Sequence, residues 1–339
     1  MNTLTSTLAL SVLTLAAGNA PATDHPGVER NVAKFLQSIE GAKTLDAMTP
    51  VDARAALVGA QAAFNAALPA ADVSEKTIRV NGKDLKLTIV RPIGSAQKTL
   101  PAFMYFHGGG WVLGDFSTHE RLVRDLVAGS GAVAIFVNYT LSPEAKYGIA
   151  TEQAYAATKW VAENGEEIKI DGQRLAVAGN SAGGNIAAVV ALMANEKGTP
   201  ALRSQVLLCP VTDANLDTPS YKEFANGYFL TKDLMVWFWD NYTSDAESRK
   251  QIYASPLQAT TVQLKGLPPT LIQTAEFDVL RDEAEAYGRK LDAAGVPVKS
   301  VRYNGMIHDF GLSNMFSHLP APRSAIAQAS QELKLNLGE

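Results

Sequence analysis

A single cysteine, Cys209, stands in a chain of 339 residues, so no internal disulfide can form. Cys209 lies in the apolar run 205–210 and is expected to pack as a small buried side chain. No Cys/His grouping is present at zinc-ligand spacing. Positive charge is not in excess: 30 Lys and Arg face 34 Asp and Glu, with no basic cluster. That removes the electrostatic footprint of a nucleic-acid binder. No apolar run is long enough to span a bilayer. Repeats and low-complexity linkers are also missing. What remains is 47% hydrophobic and 19% charged, the balance of a globular protein with a sizeable core. The length suits one large α/β domain with an inserted or appended cap, or two smaller domains.

The first 22 residues read separately from the rest. Leu8–Ala17 is apolar and small, and Ala20-Pro21-Ala22 has the small-x-small pattern of a cleavage site. No Lys or Arg precedes the run, which is atypical of a signal peptide. The expectation is a periplasmic or secreted protein, with an N-terminal helix or tail of a cytoplasmic protein as the alternative. After Pro26 the pattern turns helical, with Val28, Val32, Phe35, Leu36 and Ile39 on one face and Gly41 as the stop. Thr49-Pro50 opens a second helix, whose expected apolar stripe is Leu57, Ala60, Phe64 and Leu68. Residues 23–75 are thus an accessory layer of helices before the first strand.

Two alternating runs flank Asn81-Gly82, a strong hairpin signal. From Ala102 the strands become continuously apolar (102–106, 133–137, 174–178, 205–208, 270–274, 298–303), as expected where both faces are covered. Helical segments separate them, near 120–128, 152–163, 182–197, 282–294 and 323–335. An opening hairpin followed by β-α alternation predicts a mixed, mainly parallel twisted sheet with helices on both faces. One stretch, 211–266, lacks strand pattern but is dense in aromatics, and Thr231 is placed to cap a helix through its tryptophans. It reads as a helical cap insertion leaving the ligand-binding edge of the sheet.

The chain is organised around Gly179-Asn180-Ser181-Ala182-Gly183, where a short strand meets a helix. Such a turn strains the central residue and crowds its neighbours, so glycine at 179 and 183 supplies the space. It lifts the Ser181 hydroxyl above the sheet edge, at the N-terminus of the helix. A serine hydroxyl needs a base to become a nucleophile. Among the five histidines, His25, His107 and His119 precede Ser181, and His318 reads as a surface residue. His308, in the loop after the last strand, is the candidate base. The carboxylate that orients it should close an intervening strand. Asp278 does so, with Glu276 as rival; Asp282 and Glu283 read as solvated first-turn residues of the next helix. Asp309 adjoins the base and is too near in sequence to orient it. Oxyanion donors remain to be found. His107-Gly108-Gly109-Gly110-Trp111 follows a buried strand, and glycines let backbone N–H groups approach a substrate. The amide of Ala182, after the nucleophile, would add another, and His107 would anchor the loop.

Together, His107–Trp111, Gly179–Gly184, Asp278–Glu283 and His308-Asp309-Phe310 resemble the hormone-sensitive-lipase-like branch of the α/β hydrolases, the bacterial family IV esterases named for their H-G-G-G motif. The resemblance runs in order from about residue 75 to the C-terminus. It implies the α/β-hydrolase fold over residues 76–339, a Ser181–Asp278–His308 triad, and an oxyanion hole at the amides of Gly109, Gly110 and Ala182. It also implies a cap made of the N-terminal helices and the insertion, and carboxylesterase activity on short-chain acyl esters. Several positions depart from the pattern. Asn180 stands where Asp or Thr is usual, Thr140 replaces an arginine, Gly148 a proline and Asp309 a glycine. The expected reaction passes through an acyl-enzyme on a small-molecule ester and needs neither metal nor organic cofactor. An amidase or formamidase with the same triad, or a non-catalytic receptor using the pocket, are the alternatives. Association between copies is not legible.

Overall fold

The computed structural model describes residues 25–338, so the signal-peptide reading of residues 1–22 lies outside the described residues. The Asn81-Gly82 turn joins β1 (Ala71–Val80) to β2 (Lys83–Pro92), and both turn residues have positive φ, 49° and 76°. That is the backbone a two-residue hairpin requires, and Asn and Gly adopt it readily. Beyond the hairpin come β3 (Leu100–Phe106), β4 (Val133–Val137), β5 (Ile170–Asn180), β6 (Gln205–Leu208), β7 (Thr270–Phe277) and β8 (Val298–Ile307). They form one sheet of eight strands in the order β1-β2-β4-β3-β5-β6-β7-β8. β2 is antiparallel to β1 and β4, and every pairing from β4 through β8 is parallel. The expected mixed sheet is thus observed.

Alternation along the strands divides the core into two layers. Phe103, Tyr105, Ala134, Phe136, Ala176 and Ala178 face α3 (Phe116–Ser130) and α11 (Pro320–Leu337). Met104, Phe106, Ile135, Val137 and Val177 face the other side, against α4 (Ile149–Asn164), α5 (Ala182–Lys197) and α10 (Arg281–Ala293). Helix ends follow local chemistry. Asp115 and Thr118 form a capping box at the start of α3, and Gly131 (φ 74°) ends it in the left-handed conformation.

Between β6 and β7 the chain forms only short helices: α6 (Pro219–Glu223), α7 (Lys232–Tyr242), α8 (Ala246–Arg249) and α9 (Thr261–Leu264). The Thr231 hydroxyl accepts from the Leu234 amide, as its position predicted. Two helices precede the sheet, α1 (Arg30–Ser38) and α2 (Pro50–Ala62), and the N-terminal region touches this segment. Phe35 meets Phe229 edge to face at 5.7 Å, and His25 meets Tyr228 at 5.2 Å. The stripe expected on α2 is not the one used. Leu57 is only partly buried, Ala60 is exposed, and the helix stops at Ala62, leaving Phe64 and Leu68 exposed beyond it. Ala53 and Gln61 are the buried positions. The inner face holds Ala53 in the core and Leu57 packed against it, but its remaining docking groups, Arg54 and Gln61, are polar, so an apolar stripe alone misplaces that face. Among the described residues, no helix is long and apolar enough to cross a membrane.

Candidate active site

Ser181 lies between the end of β5 and the start of α5, with φ 53° and ψ −123°. A non-glycine residue pays steric strain for these angles, and such strain is retained where surrounding contacts over-determine it. Here the Ser181 amide donates to Leu208 O at 2.8 Å, and its carbonyl accepts from Asn185 N at 3.0 Å and Val211 N at 3.2 Å. The flanking glycines are sterically required. A Cβ on Gly183 would overlap the backbone of Phe106, and one on Gly179 would overlap the Gly183 carbonyl.

The loop after β8 brings His308 to this turn. His308 Nε2 and Ser181 Oγ are 2.9 Å apart, and His308 Nδ1 lies 2.7 Å from Asp278 Oδ2. An ionised carboxylate only accepts, so Nδ1 carries the proton and Nε2 faces the hydroxyl. All three side chains are buried. Burial alone would lower the His308 pKa. The charges of Asp278 and Asp309 overrule it and lift the value from 6.5 to about 9. Asp278 is itself braced, its Oδ1 accepting from the Leu280 amide at 2.9 Å. The rival Glu276 is engaged elsewhere, accepting from Gly305 N at 2.7 Å. His318 is exposed, as expected.

Two neighbours in α10 differ from expectation. Glu283 is not solvated: it turns inward, only 1% exposed, and its Oε1 accepts from the amides of Thr212 (2.7 Å) and Asp213 (3.1 Å). Burial pushes its carboxyl well above the usual range, against the pull of those two donors. Asp282 accepts from Ser220 N at 2.8 Å and from Arg281 Nε at 2.8 Å, which ties α10 to α6. The helix dipole favours acidic residues here, but the chain arriving from β6 supplies amides that need acceptors. Sequence spacing carries no sign of that long-range demand.

The glycine loop follows β3. His107 is sandwiched between Tyr139 (4.2 Å) and Phe136 (5.3 Å) in nearly parallel planes, and burial lowers its pKa to about 4. It is therefore a neutral structural ring. The Gly108 amide is spoken for, donating to Asn180 Oδ1 at 3.0 Å and His119 Nε2 at 3.2 Å. By contrast, the amides of Gly109, Gly110 and Ala182 meet no acceptor among the described residues. Gly109 (φ 102°) and Gly110 (φ 61°) adopt backbone that glycine favours, and the Phe238 ring lies where a Gly110 side chain would stand.

Asn180 is the hub that sequence reading left unassigned. Its Oδ1 also accepts from Tyr105 Oη at 2.9 Å, while its Nδ2 donates to Asp309 Oδ2 at 2.9 Å. That oxygen is 3.7 Å from His308 Nε2. Asp309 therefore sits on the Nε2 side of the His308 ring, where it cannot replace Asp278 but adds a second negative charge. The fold also creates a grouping absent from the sequence: donor atoms of Cys209, Asp278 and His308 lie within 4.8 Å of one another. Asp278 and His308 are already bound to each other, and burial pushes the Cys209 thiol well up. A metal would have to break the Asp278–His308 bond to use all three.

A family model described as alpha/beta hydrolase fold matches residues 103–312. The chain is 37% identical over 269 residues to carboxylesterase NlhH of Mycobacterium tuberculosis, covering 79% of this chain and 83% of that protein. Its structure is similar to that of a thermostable esterase from Pseudomonas putida ECU1011, at a TM-score of 0.92 and 62% identity, covering 94% and 100% of the two chains. It is also similar to a fungal esterase from Rhizomucor miehei, at a TM-score of 0.87 and 40% identity, covering 91% and 96%. On the strength of that match, that coverage and a mainly parallel sheet bearing a serine turn after β5, this chain belongs to the α/β-hydrolase fold family, in its hormone-sensitive-lipase-like branch.

Proposed function

We propose that the protein is a serine carboxylesterase that hydrolyses short-chain acyl esters through an acyl-enzyme. The observation that carries this is the continuous path Ser181 Oγ–His308 Nε2 (2.9 Å) and His308 Nδ1–Asp278 Oδ2 (2.7 Å) at a strained strand–helix turn. Relatives named esterase and carboxylesterase support the same reading. Ser181 Oγ attacks the ester carbonyl as His308 Nε2 takes its proton. Asp278 holds the ring and stabilises the imidazolium. Charge developing on the carbonyl oxygen is received by the amides of Gly109, Gly110 and Ala182, which need no reorganisation at that moment. The imidazolium then protonates the leaving alcohol, and a water repeats the sequence against the acyl-enzyme.

Residues 25–75 and 211–266 act in this reading as one cap in two pieces, in contact through Phe35–Phe229 and His25–Tyr228. Residues 76–338, less the insertion, form the catalytic unit. Export with removal of residues 1–22 is the accompanying proposal, checked by N-terminal sequencing of the mature protein, which should begin near Thr23.

The decisive experiment is Ser181→Ala assayed on p-nitrophenyl acetate, with fluorophosphonate labelling of both proteins. Turnover should fall by on the order of 10⁶, as for comparable triads, and labelling should vanish. Retention of a tenth of the activity would end the assignment. A wild-type chain that neither labels nor turns over would be a receptor, and one that cleaves matched amides faster than esters would be an amidase.

A further inference from the structure

The inner face of α2 mixes apolar Ala53 and Leu57 with two polar side chains. Val51 and Val58 point outward, 68% and 39% exposed, while Arg54 and Gln61 turn inward. Arg54 and Gln61 are seven residues apart, two helical turns or about 10 Å along one stripe. Each reaches a different loop of the active site.

Arg54 Nε donates to Val112 O at 2.7 Å, and its Nη2 donates to Ser142 O at 2.9 Å. Its outer edge forms a two-pronged pair with Glu144 at 2.8 and 2.7 Å. Val112 belongs to the turn whose amides, Val112 N and Leu113 N, donate to Gly109 O. Ser142 N in turn donates to Trp111 O at 2.8 Å. One guanidinium thus grips the glycine loop directly and again through the segment bonded to it.

Gln61 is buried, and its amide is fully used. Nε2 donates to Thr118 O (2.7 Å) and Leu312 O (3.1 Å), while Oε1 accepts from Asn314 N at 3.0 Å. Leu312 and Ser313 close a turn on Asp309 O, immediately after His308. Arg121 holds the same turn from α3, donating to Gly311 O at 2.6 Å and Leu312 O at 2.8 Å.

We propose that Arg54 and Gln61 are positioning residues and that α2 is a brace fixing the oxyanion loop against the histidine loop. Apolar contact would suffice to dock a helix. Four directed bonds to main-chain oxygens do more: Val112 and Leu312 lie in the loops that carry the Gly109–Gly110 amides and His308, Ser142 is bonded to the first of these through Trp111 O, and Thr118 is in the first turn of α3, whose His119 accepts from Gly108 N. The inference rests on the esterase reading, in which the Gly109 and Gly110 amides and the His308 ring must converge on one carbonyl. Misplacement by about 1 Å at such a site costs about 10²-fold in rate.

The test compares wild type, Arg54→Ala, Gln61→Ala, the double variant and Arg54→Lys. Active sites are counted with a fluorophosphonate, and kcat and KM for p-nitrophenyl acetate are measured per titrated site well below each Tm. Arg54→Ala should lower kcat by about 10–100-fold, within the range of a loop misplaced by a fraction of an ångström to one ångström. KM should change by less than about threefold, since substrate does not touch the brace. Gln61→Ala should lose less, because Arg121 shares its turn, and the double variant should lose less than the product of the two, as expected of coupled sites. Arg54→Lys, which keeps one donor of the fork, should recover part of kcat and is read in place of Arg54→Ala if the latter does not fold. Per-site kcat within twofold of wild type in Arg54→Ala, or in Arg54→Lys where it stands in, with the loss confined to Tm, would overturn the proposal and leave α2 a stabilising helix. An inactive wild type would overturn the esterase reading instead.

Discussion

At the scale of single residues, the charge around His308 decides when the enzyme works. In the proposed mechanism His308 must be neutral to accept the serine proton, and Asp278 and Asp309 together hold its pKa near 9 against the lowering effect of burial. Raising the pKa of a required base moves activity to higher pH. Thus kcat/KM should climb with unit slope through neutral pH and level off on the alkaline side. Asp309→Asn removes one negative charge 3.7 Å from Nε2 while leaving Asn180 a partner. The acid limb should then move down toward the ordinary imidazole value. Superimposable pH profiles for the two proteins would show that Asp309 has no hold on the base. Residue chemistry was partly legible beforehand. Ser181, His308 and Asp278 are set apart by their side-chain types and their order along the chain. The Asn180–Asp309 contact joins positions 129 apart, and only the β5 and β8 ends meeting at one sheet edge reveal it.

At the scale of elements, the serine turn depends on strand and helix approaching more closely than a side chain permits. Gly183 lies where a methyl would collide with the main chain of Phe106 in β3, and main chain inside a sheet cannot step aside. Gly183→Ala should cost about 1–3 kcal/mol, the range for overpacking a tight core site. It should also lower per-site kcat, because β3 leads straight into the glycine loop. Urea unfolding together with titrated turnover measures both. An unchanged urea midpoint would mean that the turn relaxes without resistance. Strands and most helices were readable, because buried parallel strands are apolar throughout and α5 is framed by Ser181 and Gly198. Helix α2 was readable in position but not in orientation. Its Thr49-Pro50 start is local chemistry, whereas the polar part of its inner face is chosen by four carbonyl oxygens distant in sequence, those of Val112, Thr118, Ser142 and Leu312. Glu283 escaped for the same reason, since its partners arrive from the end of β6.

At the scale of the whole molecule, the segment between β6 and β7 folds back over the glycine loop that follows β3. That this stretch would interrupt the β-α alternation was legible from aromatic density without strand pattern. Which aromatics would face the site was not, because that depends on how α7 crosses the sheet edge. The structure singles out Phe238, 5% exposed, whose ring lies against Gly110 where any side chain on that residue would stand. Trp111 is covered by the same helix, meeting Trp239 at 4.8 Å and Tyr242 at 4.2 Å. Phe238 therefore bounds the space above the amides proposed to receive the carbonyl oxygen, and its removal should lengthen the acyl chain that fits there. Burying two further methylenes at about 0.8 kcal/mol each would be worth about 1.6 kcal/mol. That is roughly a tenfold rise in the octanoate-to-acetate ratio of kcat/KM for Phe238→Ala on p-nitrophenyl esters. Acetate turnover should stay within a few-fold, since Phe238 supplies no catalytic group. A ratio unmoved by the substitution would mean that the acyl chain leaves the site by another wall, and that the insertion covers the oxyanion loop without setting chain length.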